Sequence, residues 1–158
     1  MSILIYFILG LLTSLLFPPY FFLPLGFIIF PSLCFLLESN KENYSDKNIF
    51  NKFSIFGFGF FISYLFWIKN PFFVFEETKN FFLVFLLLII FLSVILGLIF
   101  TIIFKLGKKI PIIILIPLMF TSSEYIISIF FYGFPWFTFS LLLSSNEYLL
   151  FSLKLFGT

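Results

Sequence analysis

Glu124 is the one carboxylate of this chain that stands inside a long apolar run, Ile110 to Phe131. A charged group at the centre of a membrane helix costs about 2.5–3.5 kcal/mol on insertion scales, so it turns inward and finds a partner. Its chemistry is that of a polar anchor or a contact to a lipid head group. The plainer alternative is a structural carboxyl bonded to a neighbouring Ser or Tyr. Nine residues further on come Gly133-Phe134-Pro135-Trp136. Gly and Pro close a helix and Trp prefers the head-group level, so this motif reads as a helix stop with an interface anchor. Trp67, near the end of another apolar run, reads the same way. Glu124, Phe134, Pro135 and Trp136 are therefore the candidates for contact with a lipid or substrate.

Other chemistries lack their side chains. The chain has no His and a single Cys, so a zinc site is short of ligands. A Ser-His-Asp or Cys-His arrangement is missing its base. Cys34 has no second cysteine to pair with. Set among Phe and Leu with no base in its own stretch, its thiol is expected to be inert. No catalytic residue, metal site or cofactor is expected from these residues. The net charge of +2, carried by dispersed lysines, gives no nucleic-acid footprint.

Composition names the solvent. Hydrophobic residues make up 62% of the chain and charged ones 10%, and the mean hydropathy is +1.22. A soluble domain needs far more polar surface, so the surroundings are lipid. Phe supplies 31 residues while Ala, Arg, His and Gln are absent. So uniform a bias reads as codon usage in an AT-rich genome, and it strips meaning from any single Phe.

A spanning helix needs about 20 apolar residues. Five runs approach that length: about residues 3–17, 21–37, 53–68, 81–104 and 110–131. The first two are separated by Pro18-Pro19-Tyr20 and form a tight helical hairpin, because adjacent prolines break the helical ladder. Pro24 and Pro31 should bend its second arm. The polar stretch from Glu38 to Lys52 reads as a loop. The run 53–68 is short for a bilayer, so its helix starts earlier or thins the membrane. Lys69 to Asn80 is an interfacial loop. Lys105 to Lys109 is a basic turn, followed by Pro111 in the first turn of the fifth run, where proline is tolerated. Residues 132–158 form an outer interfacial segment. Small residues four apart, Gly59 with Ser63 and Ser93 with Gly97, allow close helix approach.

The first run has no Lys or Arg before Lys41 and no small-residue cleavage site, so it is not a signal peptide. Lys41, Lys47, Lys52, Lys105, Lys108 and Lys109 fall in loops on one side. On the other, Lys69 and Lys79 are balanced by Glu76 and Glu77. The positive-inside rule places the lysine-rich loops and the N-terminus in the cytoplasm. The expected fold is an all-α integral membrane protein. Residues 1–158 form one module, a bundle of about five transmembrane helices plus a C-terminal interfacial or partial helix.

Several stretches together resemble one family. Leu16-Phe17-Pro18-Pro19-Tyr20 with Pro24 is similar to the first hairpin of bacterial apolipoprotein N-acyltransferases. Gly57-Phe58-Gly59-Phe60-Phe61 with Trp67 resembles their third span. Glu124 with Gly133-Phe134-Pro135-Trp136 resembles their fifth span and its outer exit, and Leu155-Phe156-Gly157 the start of a later segment. The ordered set covers essentially the whole chain. The resemblance implies transfer of an acyl chain from a membrane phospholipid to the amino group of a lipid-modified N-terminal cysteine on an apolipoprotein. It implies a nitrilase-like domain outside the bacterial inner (plasma) membrane, with a Glu-Lys-Cys triad and a thioester intermediate, held by a multi-pass membrane region.

The chain departs from that pattern in two ways. These residues hold no part of the nitrilase-like domain, and Cys34 does not match its nucleophile, so the chain alone is expected to be inactive. The family usually carries an Arg three residues after the Glu of the fifth span, where this chain has Ile127. A separately encoded nitrilase-like polypeptide is then a candidate partner. Two other functions fit a chain of this kind. One is a small transporter or channel subunit, which needs polar residues along a path. The other is a structural subunit of a separately encoded catalytic partner.

Overall fold

The computed structural model describes residues 2–39, 45–130, 138–146 and 151, and regular structure among them is helical throughout. Among the described residues five α-helices are delimited: α1 (Ser2–Ser14), α2 (Gly26–Glu38), α3 (Asp46–Tyr64), α4 (Phe82–Leu106) and α5 (Ile112–Phe130). Short 3-10 segments occupy Leu23–Leu25, Phe66–Phe73, Glu76–Phe81 and Phe139–Ser145. With strands absent among the described residues and this degree of apolarity, the protein is an all-α membrane protein.

Length separates the helices. The stretch Glu76–Leu106, which contains α4, and the 19-residue α5 are long and apolar enough to cross a membrane. α3 and the segment Phe66–Phe73 pass together but are bent by 50° at Leu65. α1 and α2 have 13 residues each, about 20 Å of helix at 1.5 Å per residue, against about 30 Å of hydrocarbon.

The hairpin between α1 and α2 tightens through 3-10 bonds from Leu15, Leu16 and Phe17 to carbonyls three residues back. The Pro18–Pro19 peptide is cis, and Phe21 sits at φ 47°. Phe22 N–H then donates across the turn to Leu15 O at 2.9 Å. Pro24 lies in the 3-10 segment ahead of α2, and Pro31 lies within the helix.

α3 starts inside the stretch that reads as a loop. The Ser45 hydroxyl accepts from the Asn48 N–H, and Asp46 stands in the first turn. Both satisfy the exposed donors and positive dipole end of a helix N-terminus. Of the two ways to rescue the short third run, the sequence uses the earlier start. Lys52 consequently sits in a helix rather than a loop. It is 6% exposed, and its ammonium stands 5.7 Å from the centre of the Tyr6 ring.

α3 is the central helix, packed chiefly on α1 and α4, while α5 touches α4 and α2, and α2 returns to α1. The contacts fix directions. Tyr6 meets Phe53 and Phe17 meets Phe60, so α1 and α3 run parallel. Phe53 meets Phe100, and Asp46 pairs with Lys105 at 2.9 Å, so α4 is antiparallel to α3. The ion pair puts the start of α3 and the basic turn Lys105–Lys109 at one end of the bundle. The hairpin and the bend at Leu65 lie at the other.

Glycine makes the two tightest seams. A Cβ on Gly10 would lie 2.1 Å from Phe56 O, and one on Gly59 2.3 Å from Phe7 O. Ser14 and Ser63 extend this seam with a hydroxyl–hydroxyl bond of 2.7 Å. Two small-residue pairs, Gly10/Ser14 and Gly59/Ser63, thus face each other, the spacing that lets membrane helices touch backbone to backbone. On the other side of α3, a Cβ on Gly97 would lie 2.1 Å from Ser54 Oγ and 3.0 Å from Phe50 O. Three buried hydroxyls are turned onto their own helices: Thr13 donates to Leu9 O, Ser93 to Ile89 O and Ser123 to Phe120 O. That bonding satisfies each hydroxyl in a place without water.

Candidate functional site: a returning segment held by Glu124

An aromatic relay runs from the middle of the bundle toward the end opposite the basic turn. Phe120 of α5 meets Phe30, Phe56 and Phe100 edge-on, with ring centroids 5.9, 5.9 and 5.0 Å away. It also meets Phe139, at 4.9 Å. Phe139 in turn packs on Phe17 at 5.3 Å, and Phe17 on Tyr64 at 5.1 Å. Phe139 lies beyond α5, in the segment Phe139–Ser145. The chain therefore leaves α5 and folds back so that this ring fills the space between the α1 end and α5.

Glu124 fixes the return. It stands one turn beyond Phe120 on α5, partly buried, and its Oε2 accepts a hydrogen bond from the Phe139 backbone N–H at 3.0 Å. A buried N–H left without an acceptor costs about 1–3 kcal/mol, and bonds to charged acceptors are the stronger kind. The partner is thus a backbone donor fifteen residues away, not a neighbouring Ser or Tyr. Ile127, where the family usually has Arg, is buried in the core. The site uses a main-chain donor in a place where a side-chain cation is absent.

Replacing Glu124 by Leu should destabilise the protein by about 1–3 kcal/mol and open residues 138–146 to protease, as read by melting and limited proteolysis in detergent micelles. Glu124→Gln keeps an acceptor oxygen and should retain most of the protection.

The other candidates separate. Phe134, Pro135 and Trp136 lie outside the described residues. Trp67 stands in the 3-10 segment after the α3 bend and is half exposed, at the same end as Phe139. Cys34 lies on α2 facing α5, far along the helix from Glu124 and Phe139. No group of three or more His, Cys, Asp or Glu able to hold a metal occurs among the described residues.

Sequence reasoning found Glu124 and missed its partner, since one Phe among 31 carries no mark. It also missed the Gly10/Ser14 half of the α1–α3 seam, although the small-xxx-small spacing is legible there.

The family model for the apolipoprotein N-acyltransferase N-terminal domain matches residues 9–158. Neither a curated protein nor a solved structure matches the chain. The matched stretch takes in the hairpin, the glycine seam of α3, Glu124 and the returning segment. The chain belongs to the apolipoprotein N-acyltransferase family, through that family's N-terminal domain.

Proposed function

We propose that these residues are the membrane module of a lipoprotein N-acyltransferase. The module holds a nitrilase-like catalytic domain against the outer face of the bacterial inner membrane. There a phospholipid gives up an acyl chain to the amino group of a lipid-modified cysteine on an apolipoprotein. The family match over residues 9–158 carries this reading. It is supported by the gathering of the hairpin, the Phe66–Phe81 region and the Glu124-anchored segment at the end away from the basic turn Lys105–Lys109.

In this reading Phe134, Pro135, Trp136 and Glu124 form the lipid-side edge of the module, Glu124 by holding the segment that follows. The chain contributes no catalytic residue, so residues 1–158 alone should leave a lipid-modified peptide unacylated. A nitrilase-like polypeptide, fused or separate, supplies the chemistry.

Topology gives the first test. With Cys34 replaced by Ser, cysteines substituted for Lys47 and Lys108 should resist a membrane-impermeant thiol reagent applied from outside. One substituted for Glu77 should react. All three positions are exposed, so the outcome reports sidedness rather than burial, and reversed labelling would overturn the orientation. Co-purification with a nitrilase-like domain supports the module reading, whereas solute flux in liposomes would replace it with a transporter.

A further inference from the structure

Charge is shared unequally between the two ends of the bundle. The stretches Glu38–Lys52 and Lys105–Lys109 carry six lysines and three carboxylates, whereas Lys69–Asn80 carries two of each. Among the described residues of the basic end, Glu38, Asp46, Lys47, Lys105, Lys108 and Lys109 are exposed. Four exposed lysines thus stand against two exposed carboxylates. Geometry neutralises one pair: the Lys105 ammonium donates to Asp46 Oδ2 at 2.9 Å. Lys108 acts on the same carboxylate from further off. Lys47, Lys108 and Lys109 have no ion-pair partner among the described residues. At the other end Lys79 is paired with Glu76, and the Lys69 ammonium lies 3.3 Å over the Phe66 ring.

The fold sets the depth of the lysines. Gly107 N–H donates to Ile103 O, and Ile110 N–H to Gly107 O, both at 2.8 Å. The second bond closes a turn whose two central residues are Lys108 and Lys109. Ile102 and Leu106 just before this turn, and Ile113 and Ile114 just after it, are exposed on the two helices long enough to cross a membrane. Such residues face acyl chains. Lysines within a turn of them stand at head-group level, their stems along the hydrocarbon and their ammonium groups in the polar layer. Depth selects the partner. The anions at that level are lipid phosphates, and a surplus of two positive charges favours an anionic lipid over a zwitterionic one.

We infer that the α4–α5 turn, with the start of α3 beside it, is a binding site for the head group of an anionic phospholipid. Lys108 and Lys109 take the phosphate, and Asp46 withholds Lys105 from it. The inference needs only a bilayer and does not depend on the transferase reading. In the orientation proposed above, this lipid belongs to the cytoplasmic leaflet. It is then a neighbour that holds the basic end in place and not the acyl donor.

The test uses the full chain in phosphatidylcholine nanodiscs doped with phosphatidylglycerol that carries a photoactivatable diazirine on its head group. Adducts are mapped by mass spectrometry. Both faces of the disc hold the probe, so the outcome does not depend on orientation. Adducts should concentrate on Asp46–Lys47 and Lys105–Lys109 about fivefold or more over Phe66–Phe81, while a phosphatidylcholine probe labels the two ends alike. Each lysine near an anionic surface contributes about fivefold in binding. Lys108→Gln with Lys109→Gln should therefore cut adducts at the basic end by about tenfold or more. Lys108→Arg with Lys109→Arg should keep them, and Lys69→Gln with Lys79→Gln should leave them unchanged. Asp46→Asn should raise them about fivefold, because Lys105 is released. Ser45 still caps α3 in that variant. Even labelling of both ends, or a double Gln variant that labels like the parent, overturns the site. An Asp46→Asn variant without gain overturns the role of Asp46. Loss of labelling in excess inorganic phosphate, at constant ionic strength, assigns the lysines to a soluble anion and overturns the lipid.

Discussion

Phe120→Ala should be among the most damaging single substitutions in the chain, lowering unfolding free energy by about 3 kcal/mol. That is the low end for deleting a buried Phe side chain. The reason is position. Phe120 is 5% exposed, and its ring touches aromatics from α2, α3, α4 and the returning segment. Edge-to-face pairs add about 0.5–1.5 kcal/mol each beyond area burial. In lipid little hydrophobic transfer is lost, since acyl chains are as apolar as the core, so the cost is one of packing. That places the effect at the low end of the range. Reversible unfolding in mixed micelles measures it. Phe27→Ala supplies the contrast, since Phe27 is 87% exposed and should cost almost nothing. Equal effects at the two positions would mean that the relay does not hold the bundle.

Gly10→Leu and Gly59→Leu should each cost about 3 kcal/mol, the upper end for overpacking. A Cβ at either site would run into a backbone carbonyl of the facing helix, at 2.1 and 2.3 Å. A carbonyl in a helix cannot swing aside as a side-chain tip can. α1 and α3 must therefore separate, which also breaks the Ser14–Ser63 bond. The same assay checks the prediction. Gly26→Ala is its control, because a Cβ there meets the Phe30 ring at 3.6 Å, an ordinary contact.

What the sequence made legible follows from which forces are local. Hydropathy alone separates α4 and α5 from their surroundings, because runs of twenty or so apolar residues, set apart by the lysines of the turn Lys105–Lys109, have few other readings. The double proline forces the hairpin for a covalent reason. The start of α3 is less visible. Ser45 and Asp46 are good capping residues, but they lie among other polar residues, and hydropathy averages over them. For that reason hydropathy places Lys52 in a loop.

Tertiary pairings were legible only where a residue type is rare. One carboxylate in an apolar run announces that a partner exists. The partner is a backbone N–H at Phe139, and every residue but proline has one. The aromatic relay was hidden for the opposite reason. With 31 Phe in the chain, identity does not distinguish Phe120 in the core from Phe27 on the lipid face. Only the packing of the helices does.

We propose that residues 1–158 serve lipoprotein N-acylation as a membrane module. The measurement that reaches it most directly is acyl transfer by a chimera, with residues 1–158 replacing the N-terminal domain of an active apolipoprotein N-acyltransferase. The chimera is reconstituted with phospholipid and a peptide bearing a lipid-modified N-terminal cysteine, and the products are weighed by mass spectrometry. The prediction is N-acylated peptide with the chimera and none with residues 1–158 alone. A chimera that inserts and carries a folded catalytic domain, yet leaves the peptide unacylated, would contradict the claim.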